Sequence, residues 1–396
     1  MFFYLFIFIV LSIFSFSEAL GFTGKSAKYL FACICLFLFV LVAGLRYETG
    51  VDWYVYRDMF RNIDPVRNLT EKSGRENILG NIDLGYSLFT SFIKELGGSI
   101  QTVFFLLASW TGFYIYYGIK RYSPFPATSL LIYYCLVFFY LDMSGIRQAF
   151  ALSVFLYSSK YILRRQAMKF VSYMVLAILF HWSAILLIPM YFLTKKISSK
   201  VLLVILSLSV VVYFLNIQWF TPVLTKLFPV FDNQNLMEKA LVYTHSEKFA
   251  KTRVLNLTTI VNSIFIISIF IFLIVRRRKL EHCNHFTFFL NIYLLQILAY
   301  FSISELVEVS NRMRLYFVVA NVILLPLLLQ TLKDIYIRTS AVILVIFYCG
   351  VCANSYLLER PMTVAYHPYQ NYLIYKWFEK ESTGQERLIE HIRLHQ

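Results

Sequence analysis

The sequence predicts an all-α polytopic membrane protein, and three observations carry that prediction. The chain has 396 residues, of which 59% are hydrophobic and 15% are charged, against about 25% charged in soluble domains. The apolar residues fall in blocks long enough to cross a bilayer, which takes about 20 residues of helix. The lysines and arginines cluster between those blocks, which is typical of the cytoplasmic side of a membrane protein.

Apolar blocks follow one another along the whole chain. They cover residues 2–20, 29–45, 103–119, 127–141, 148–163, 169–193, 201–215, 257–275, 286–303, 313–329 and 339–356. The first block has no basic segment before it and is followed by Lys25 and Lys28. It is therefore a crossing rather than a secretory signal peptide, and we expect the N-terminus outside.

The block at 169–193 requires a different structure. If it crossed once, the strongest basic cluster, residues 276–279, would face outward against the usual charge bias. Two half-helices that enter and leave on the cytoplasmic side, with a turn near His181, remove the conflict. Irregular backbone inside a membrane occurs where protein or water covers it, so the break also marks a site. We expect about ten full crossings, one broken re-entrant pair, and both termini outside.

The chain reads as one integral membrane domain over residues 1–396. Its outward parts are the loops 46–101 and 216–256 and the C-terminal tail 357–396, which could be a lid, a glycan contact or a cap. The net charge of +15 falls almost entirely in the inside loops. The excess positive charge therefore reflects membrane topology, and no nucleic-acid partner is expected.

Charged side chains collect at the predicted outward ends of four helices. They are Arg46 and Asp52, then Asp142 and Arg147, then His181, then Glu305, Glu308, Arg312 and Arg314. Arginines without a carboxylate cage favour a phosphate-bearing ligand over a metal, because guanidinium matches phosphate and stays charged. A polyprenyl diphosphate in the outer leaflet is such a ligand, and we expect neither a metal nor another cofactor.

These residue types also suggest chemistry. Arginines beside a diphosphate leaving group stabilise its developing charge, and His181 or Asp52 could accept the proton of an attacking sugar hydroxyl. Simpler interpretations stay open. Arg46 and Arg314 could anchor helix ends at the membrane interface, His181 could be a core histidine, and Arg312 could pair with an acid one helical turn away.

Three stretches resemble the EpsG family of Wzy-type polymerases. Residues 43–56 contain Gly44-Leu45-Arg46-Tyr47 and then Gly50-Val51-Asp52, where Val51 stands at a position that is often Thr. Residues 146–152 resemble the family's Arg-Gln block, and residues 177–185 its Phe-His-x-Ser block. A third, weaker likeness runs from Asn311 to Pro326. The resemblance covers about residues 30 to 330.

The resemblance implies a metal-independent, GT-C-like glycosyltransferase. It would transfer a polyprenyl-diphosphate-linked glycan onto an incoming lipid-linked repeat unit at the outer face of the bacterial cytoplasmic membrane, in O-antigen, capsule or exopolysaccharide synthesis. Membrane lipids and a chain-length regulator protein are the other expected partners. The candidate residues are Asp52, Arg147 and His181 for catalysis, Arg46, Arg147, Arg312 and Arg314 for diphosphate binding, and Tyr47, Gln148 and Glu305 for support.

Two other functions remain as alternatives. A flippase for the same lipid-linked oligosaccharide would carry charge along mid-membrane positions and often a repeat between its halves. Charge inside the apolar blocks is nearly absent here, which favours the polymerase. A ligase or acyltransferase that uses the same lipid carrier would differ only in its acceptor, and the sequence does not distinguish it.

Overall fold

The computed structural model describes residues 2–80, 83–227, 253, 255–358 and 360–395. Within these ranges every regular element is helical and no strand occurs, although an isolated β-bridge links Arg46 and Asn371. The predicted all-α class is confirmed. Most of the predicted outward loop 216–256 lies outside the described residues.

The chain divides into two compact units, and each is described by itself. The first comprises Met1–Tyr191 and Leu325–Gln396, and the second comprises Phe192–Leu324. The helices before the division at Tyr191 are α1 (Phe2–Ala19), α2 (Lys25–Gly44), α3 (Trp53–Asn62), α4 (Lys72–Leu79), α5 (Leu84–Glu95), α6 (Ile100–Tyr122), α7 (Pro126–Tyr133), α8 (Ile146–Leu163) and α9 (Ala167–Phe180).

The remaining helices follow in chain order. They are α10 (Ser199–Phe214), α11 (Phe220–Leu227), α12 (Leu257–Val275), α13 (Arg277–Leu280), α14 (Phe286–Ile297), α15 (Val307–Phe317), α16 (Val319–Gln330), α17 (Ile335–Leu357), α18 (Arg360–Tyr366), α19 (Tyr372–Trp377) and α20 (Gly384–His395). Short 3-10 helices cover Val66–Thr70 and Trp182–Phe192, and π-helical turns extend α7 over Tyr134–Phe138 and α14 over Leu298–Ser302.

Several described helices are long and apolar enough to cross a membrane. Five pass on length and composition, namely α1, α2, α6, α12 and α17, and the bent pair of α15 and α16 makes up to six. In α1, Tyr4, Ile7 and Leu11 face inward while Phe2 and Phe6 are exposed, as expected for a helix that meets lipid. A multi-pass membrane protein is confirmed; the count of about ten crossings and the GT-C likeness stay predictions.

The helix predicted to break near His181 does so at that residue. α9 ends at Phe180, His181 is extended (φ −154°, ψ 105°), and the 3-10 helix Trp182–Phe192 follows with Pro189 inside it. Proline supplies no backbone N–H and disfavours a regular α-helix there. The break is confirmed, and the re-entrant path of the two halves stays a prediction.

The pair α15 and α16 departs from the single crossing predicted at 313–329. The two helices are bent by 50° at Val318. Asn321 donates to the Val318 carbonyl from both its backbone and its side chain, at 2.9 and 3.1 Å. A side chain that competes for a helix carbonyl in this way bends the helix.

In the first unit, α2 packs on α6, α6 on α8, and α8 on α9. Glycine permits the close approach of these helices. A Cβ atom at Gly44 would lie 2.8 Å from Phe105 Cα, and one at Gly118 would lie 2.6 Å from the Leu156 side chain. Close packing by small residues is usual between membrane helices. It brings together the ends of α2 and α9 and the beginnings of α6 and α8, where the candidate site lies.

Candidate functional site

The centre of the site is an ion pair between Arg147 and Asp83. Arg147 lies in the first turn of α8 and Asp83 immediately precedes α5. The guanidinium Nη1 donates to Asp83 Oδ2, and the two side chains are 22% and 8% exposed. Burial alone would raise the pKa of Asp83, but the neighbouring His181, the charge of Arg147 and the backbone N–H of Trp182 hold it below its ordinary value.

The break after α9 joins this pair. The backbone N–H of Trp182 donates to Asp83 Oδ1 at 2.8 Å, and His181 Nδ1 lies 3.8 Å from Asp83 Oδ2. The imidazole is 18% exposed, and its Nδ1 makes no hydrogen bond within the described ranges. A shift of about 1 Å would form a His–Asp hydrogen bond, and such contacts often tighten on substrate binding.

Aromatic rings line the pair. The Arg147 guanidinium lies 5.5 Å from the ring centroids of both Tyr56 and Tyr86, and these two rings are 5.9 Å apart. Phe104 packs against Tyr56 at 6.0 Å. Rings around a guanidinium fix its plane and add a cation–π attraction without neutralising its charge.

Arg46 packs against Phe104, the ring that also contacts Tyr56. Its guanidinium is 4.1 Å from the Phe104 centroid and the residue is 0% exposed. Nη1 donates to the carbonyls of Ala43 and Asp142, at 2.5 and 3.3 Å, and Nε and Nη2 have no partner among the described residues. Arg46 is therefore a buried, incompletely satisfied positive charge, and not the surface anchor that a helix end would suggest.

The loop after Arg46 takes an unusual backbone path. Glu48 and Gly50 have positive φ values of 46° and 104°. A side chain at Gly50 would also collide with the carbonyl oxygen of Met143. Only glycine combines this φ with that approach, so the loop closes tightly onto the turn before α8.

Asp52 and Tyr47 also belong to this loop. Asp52 precedes α3. Burial is the main cause that raises the pKa values of Tyr56 and Tyr366, and the charge of Asp52 raises both further. Tyr47 packs its ring against Trp53 at 5.7 Å. Gln148 follows Arg147 directly and is buried. Tyr47 and Gln148 thus follow Arg46 and Arg147 directly in the chain, while the acid in contact with Arg147 is Asp83.

Asp142 is a half-buried acid near Arg46. It lies in the turn between the π-helical end of α7 and α8, and the Tyr133 hydroxyl donates to its Oδ2 at 2.7 Å. Burial raises the pKa of Asp142 to about 7, and the hydrogen bond from Tyr133 and the charge of Arg46 oppose that shift. A narrow apolar cavity between α2 and α6 ends at Asp142 and Tyr133.

The second unit holds the other predicted residues. Arg312 Nε pairs with Glu308 Oε1 at 2.7 Å on the exposed side of α15, one turn apart. Glu305 is 5% exposed and accepts the backbone N–H of Phe220. Arg314 lies 5.6 Å from the Tyr300 ring centroid.

Arg253 adds a cation that sequence reasoning missed. It lies 3.9 Å from the same Tyr300 ring and donates to Ser310 Oγ and Asn311 Oδ1, both at 3.0 Å. Burial, reinforced by the charge of Arg314, lowers the pKa of Arg253 to about 10.

Asp83 was missed as well. It lies in a polar stretch that contains Asn and Gly, where hydrophobic periodicity does not distinguish one acidic residue from its neighbours. Its contacts reach 64 and 99 residues along the chain. The useful signal would have been the apolar-aromatic run that starts at Leu84, which makes Asp83 a helix-start residue rather than a loop residue.

Comparison with known proteins gives one finding. The model of the EpsG family matches residues 28–371 of the chain. That interval includes Arg46, Asp83, Arg147 and His181, and it ends within the C-terminal segment. Comparisons with curated proteins and with solved structures gave no significant match.

Proposed function

The chain belongs to the EpsG family, the family of Wzy-type polysaccharide polymerases, and we propose that it joins polyprenyl-diphosphate-linked repeat units into a polysaccharide. The reaction would take place at the outer face of the bacterial cytoplasmic membrane. The observation that carries the proposal is the cluster of Arg147, Asp83 and His181. It combines an anion ligand with a histidine that a carboxylate can orient.

The bond-making step is a glycosyl transfer. A hydroxyl of the incoming lipid-linked unit attacks the anomeric carbon of the sugar that carries the growing chain. The new C–O bond forms as the bond from that carbon to the diphosphate oxygen breaks. Polyprenyl diphosphate leaves with the electron pair, and the hydroxyl proton passes to a base.

His181 is the best candidate for that base. Its imidazole is partly exposed, and Asp83 lies on the Nδ1 side at 3.8 Å. An ionised Asp83 would hold the proton on Nδ1, leave Nε2 as the acceptor and stabilise the imidazolium that forms. The low pKa of Asp83 keeps it ionised at neutral pH.

Arg147 is the candidate ligand of the leaving diphosphate. One nitrogen is used by Asp83, and the guanidinium retains further N–H groups and 22% exposure. Arg46 would add to this attraction. Its charge, buried against Phe104, would favour a diphosphate near Arg147 in a region that water screens weakly.

The direct test uses purified protein with a synthetic polyprenyl-diphosphate-linked repeat unit, without added metal, and resolves the products by size. A ladder of products supports the polymerase. If no ladder forms, and a labelled lipid instead moves between the leaflets of a proteoliposome, the flippase is the better function. If single units pass to an acceptor other than a repeat unit, the ligase is the better function.

A further inference from the structure

In the loop that carries Arg46, several backbone N–H and C=O groups find their hydrogen-bond partners outside the loop. Residues 45–52 connect α2 to α3 with two positive φ values, so their N–H and C=O groups pair elsewhere. The partners are in the C-terminal segment. Tyr372 N donates to Leu45 O at 2.7 Å, Tyr47 N to Gln370 O at 2.8 Å, and Gly50 N to Ala365 O at 2.9 Å.

Arg387 closes this contact from α20. Its Nη2 donates to Glu48 O at 2.8 Å and its Nη1 to Pro368 O at 3.0 Å. One guanidinium thus holds the Arg46 loop and the C-terminal segment together. The Ser382 hydroxyl lies within hydrogen-bond distance of both the Glu48 carboxylate and Gln370 Oε1, and its one proton can be donated to either. Arg387 is 8% exposed, and its burial in this contact lowers its pKa.

Arg46 is fixed from both sides of its backbone as a result. Its main chain bridges to Asn371, and its carbonyl accepts from Gln101 Nε2 at 2.7 Å. The side chain extends across Phe104 toward the carbonyl of Asp142. Release of the C-terminal segment would free the backbone on one side and let the guanidinium leave this position.

We propose that residues 365–387, the clamp segment, position Arg46 for the diphosphate substrate, and that Arg387 is the positioning residue. The inference rests on the proposed function, because it assigns the purpose of the clamp to that reaction. The family match ends at residue 371, so Arg387 lies outside the matched residues. A purely structural role for Arg387 would affect folding but not the relation between KM and kcat.

The first experiment measures the clamp without any activity. Thr49 is fully buried, and its Oγ1 accepts from Gln370 N at 3.2 Å. A Thr49→Cys variant of the full-length protein is treated with a membrane-impermeant maleimide, and the parent chain with its native cysteines gives the background. Adding Arg387→Ala should speed labelling by about tenfold or more, because the segment opens more often. Adding Arg393→Ala, a change at an exposed arginine of the same helix, should not.

The second experiment measures the polymer ladder with the same arginine variants. Arg387→Ala should raise KM for the lipid-linked substrate about tenfold with kcat little changed, because Arg46 attracts the diphosphate before and during reaction. Arg387→Lys, which keeps a donor, should have a KM between those of wild type and Arg387→Ala.

Equal labelling rates with and without Arg387→Ala would overturn the proposed clamp and leave the proposed polymerase function intact. Faster labelling with unchanged KM overturns the positioning role. No ladder from wild type would instead refute the proposed function.

Discussion

The backbone N–H of Trp182 donates to Asp83 Oδ1 at 2.8 Å, across 99 residues of sequence. This hydrogen bond ties the break after α9 to the beginning of α5. The other carboxylate oxygen of Asp83 meets Arg147 at the start of α8. Three chain segments of the first unit therefore meet at one carboxylate.

Arg147→Lys should reduce polymer formation nearly as strongly as Arg147→Ala. Lysine is a point charge, whereas the guanidinium can meet Asp83 and a diphosphate with separate N–H groups. We expect both variants to lose about 10²-fold or more in kcat/KM, measured from the ladder. An Arg147→Lys enzyme with wild-type kcat/KM would show that Arg147 only supplies charge.

Asp83→Asn should lower kcat about 10²-fold at neutral pH, with the protein still folded. Asparagine can accept the Trp182 N–H, but it lacks the charge that orients His181 and balances Arg147. The matched control is Glu71→Gln, which removes an exposed carboxylate from the same stretch between α2 and α6. Equal rates for the two variants would remove Asp83 from the mechanism.

Asp142→Asn should stabilise the protein as pH rises. The pKa of Asp142 is raised from 3.8 to about 7 in the folded protein, so folding favours its protonated form. Its stabilising contribution is complete below about pH 4 and is lost as pH rises through 7. Asparagine keeps an acceptor for Tyr133 and does not ionise. The gain should be near zero at about pH 4 and on the order of 4 kcal/mol at about pH 8, measured by thermal unfolding in detergent.

Gly50→Ala should destabilise the protein by about 2 kcal/mol or more. The variant combines a φ of 104° with a collision against the Met143 carbonyl. Gly97→Ala is the control, because Gly97 also has a positive φ of 76° but open space around it. It should cost about 1 kcal/mol. Equal unfolding temperatures for the two variants would mean that the loop does not close on Met143 as described.

The sequence was sufficient for the helical class and for the break at His181. The break was predicted from the alternation of crossings, because a single crossing at 169–193 would have placed the basic cluster at 276–279 on the outward side. The same argument put Arg147 and His181 on one side of the membrane, and both lie against Asp83. Their catalytic roles stay predictions.

The acid that joins Arg147 to His181 could not be predicted. Asp83 is one polar residue in a polar stretch, and contacts across 64 and 99 residues leave no periodic trace in a single sequence. The burial of Arg46 was hidden for a similar reason. Its place at the end of an apolar block suggested a surface position, and nothing in the Tyr- and Pro-containing C-terminal segment indicates that it pairs with the loop 45–52.

The role of His181 as the base is tested most directly by the rate of ladder formation with His181→Ala. The control is His282→Ala, which changes an exposed histidine in a basic loop. His181→Ala should slow glycosyl transfer about 10²- to 10⁴-fold at neutral pH, as loss of a general base does, while His282→Ala keeps the wild-type rate. A full ladder from His181→Ala, combined with none from Asp52→Asn, would show that His181 is not the base and would assign that role to Asp52.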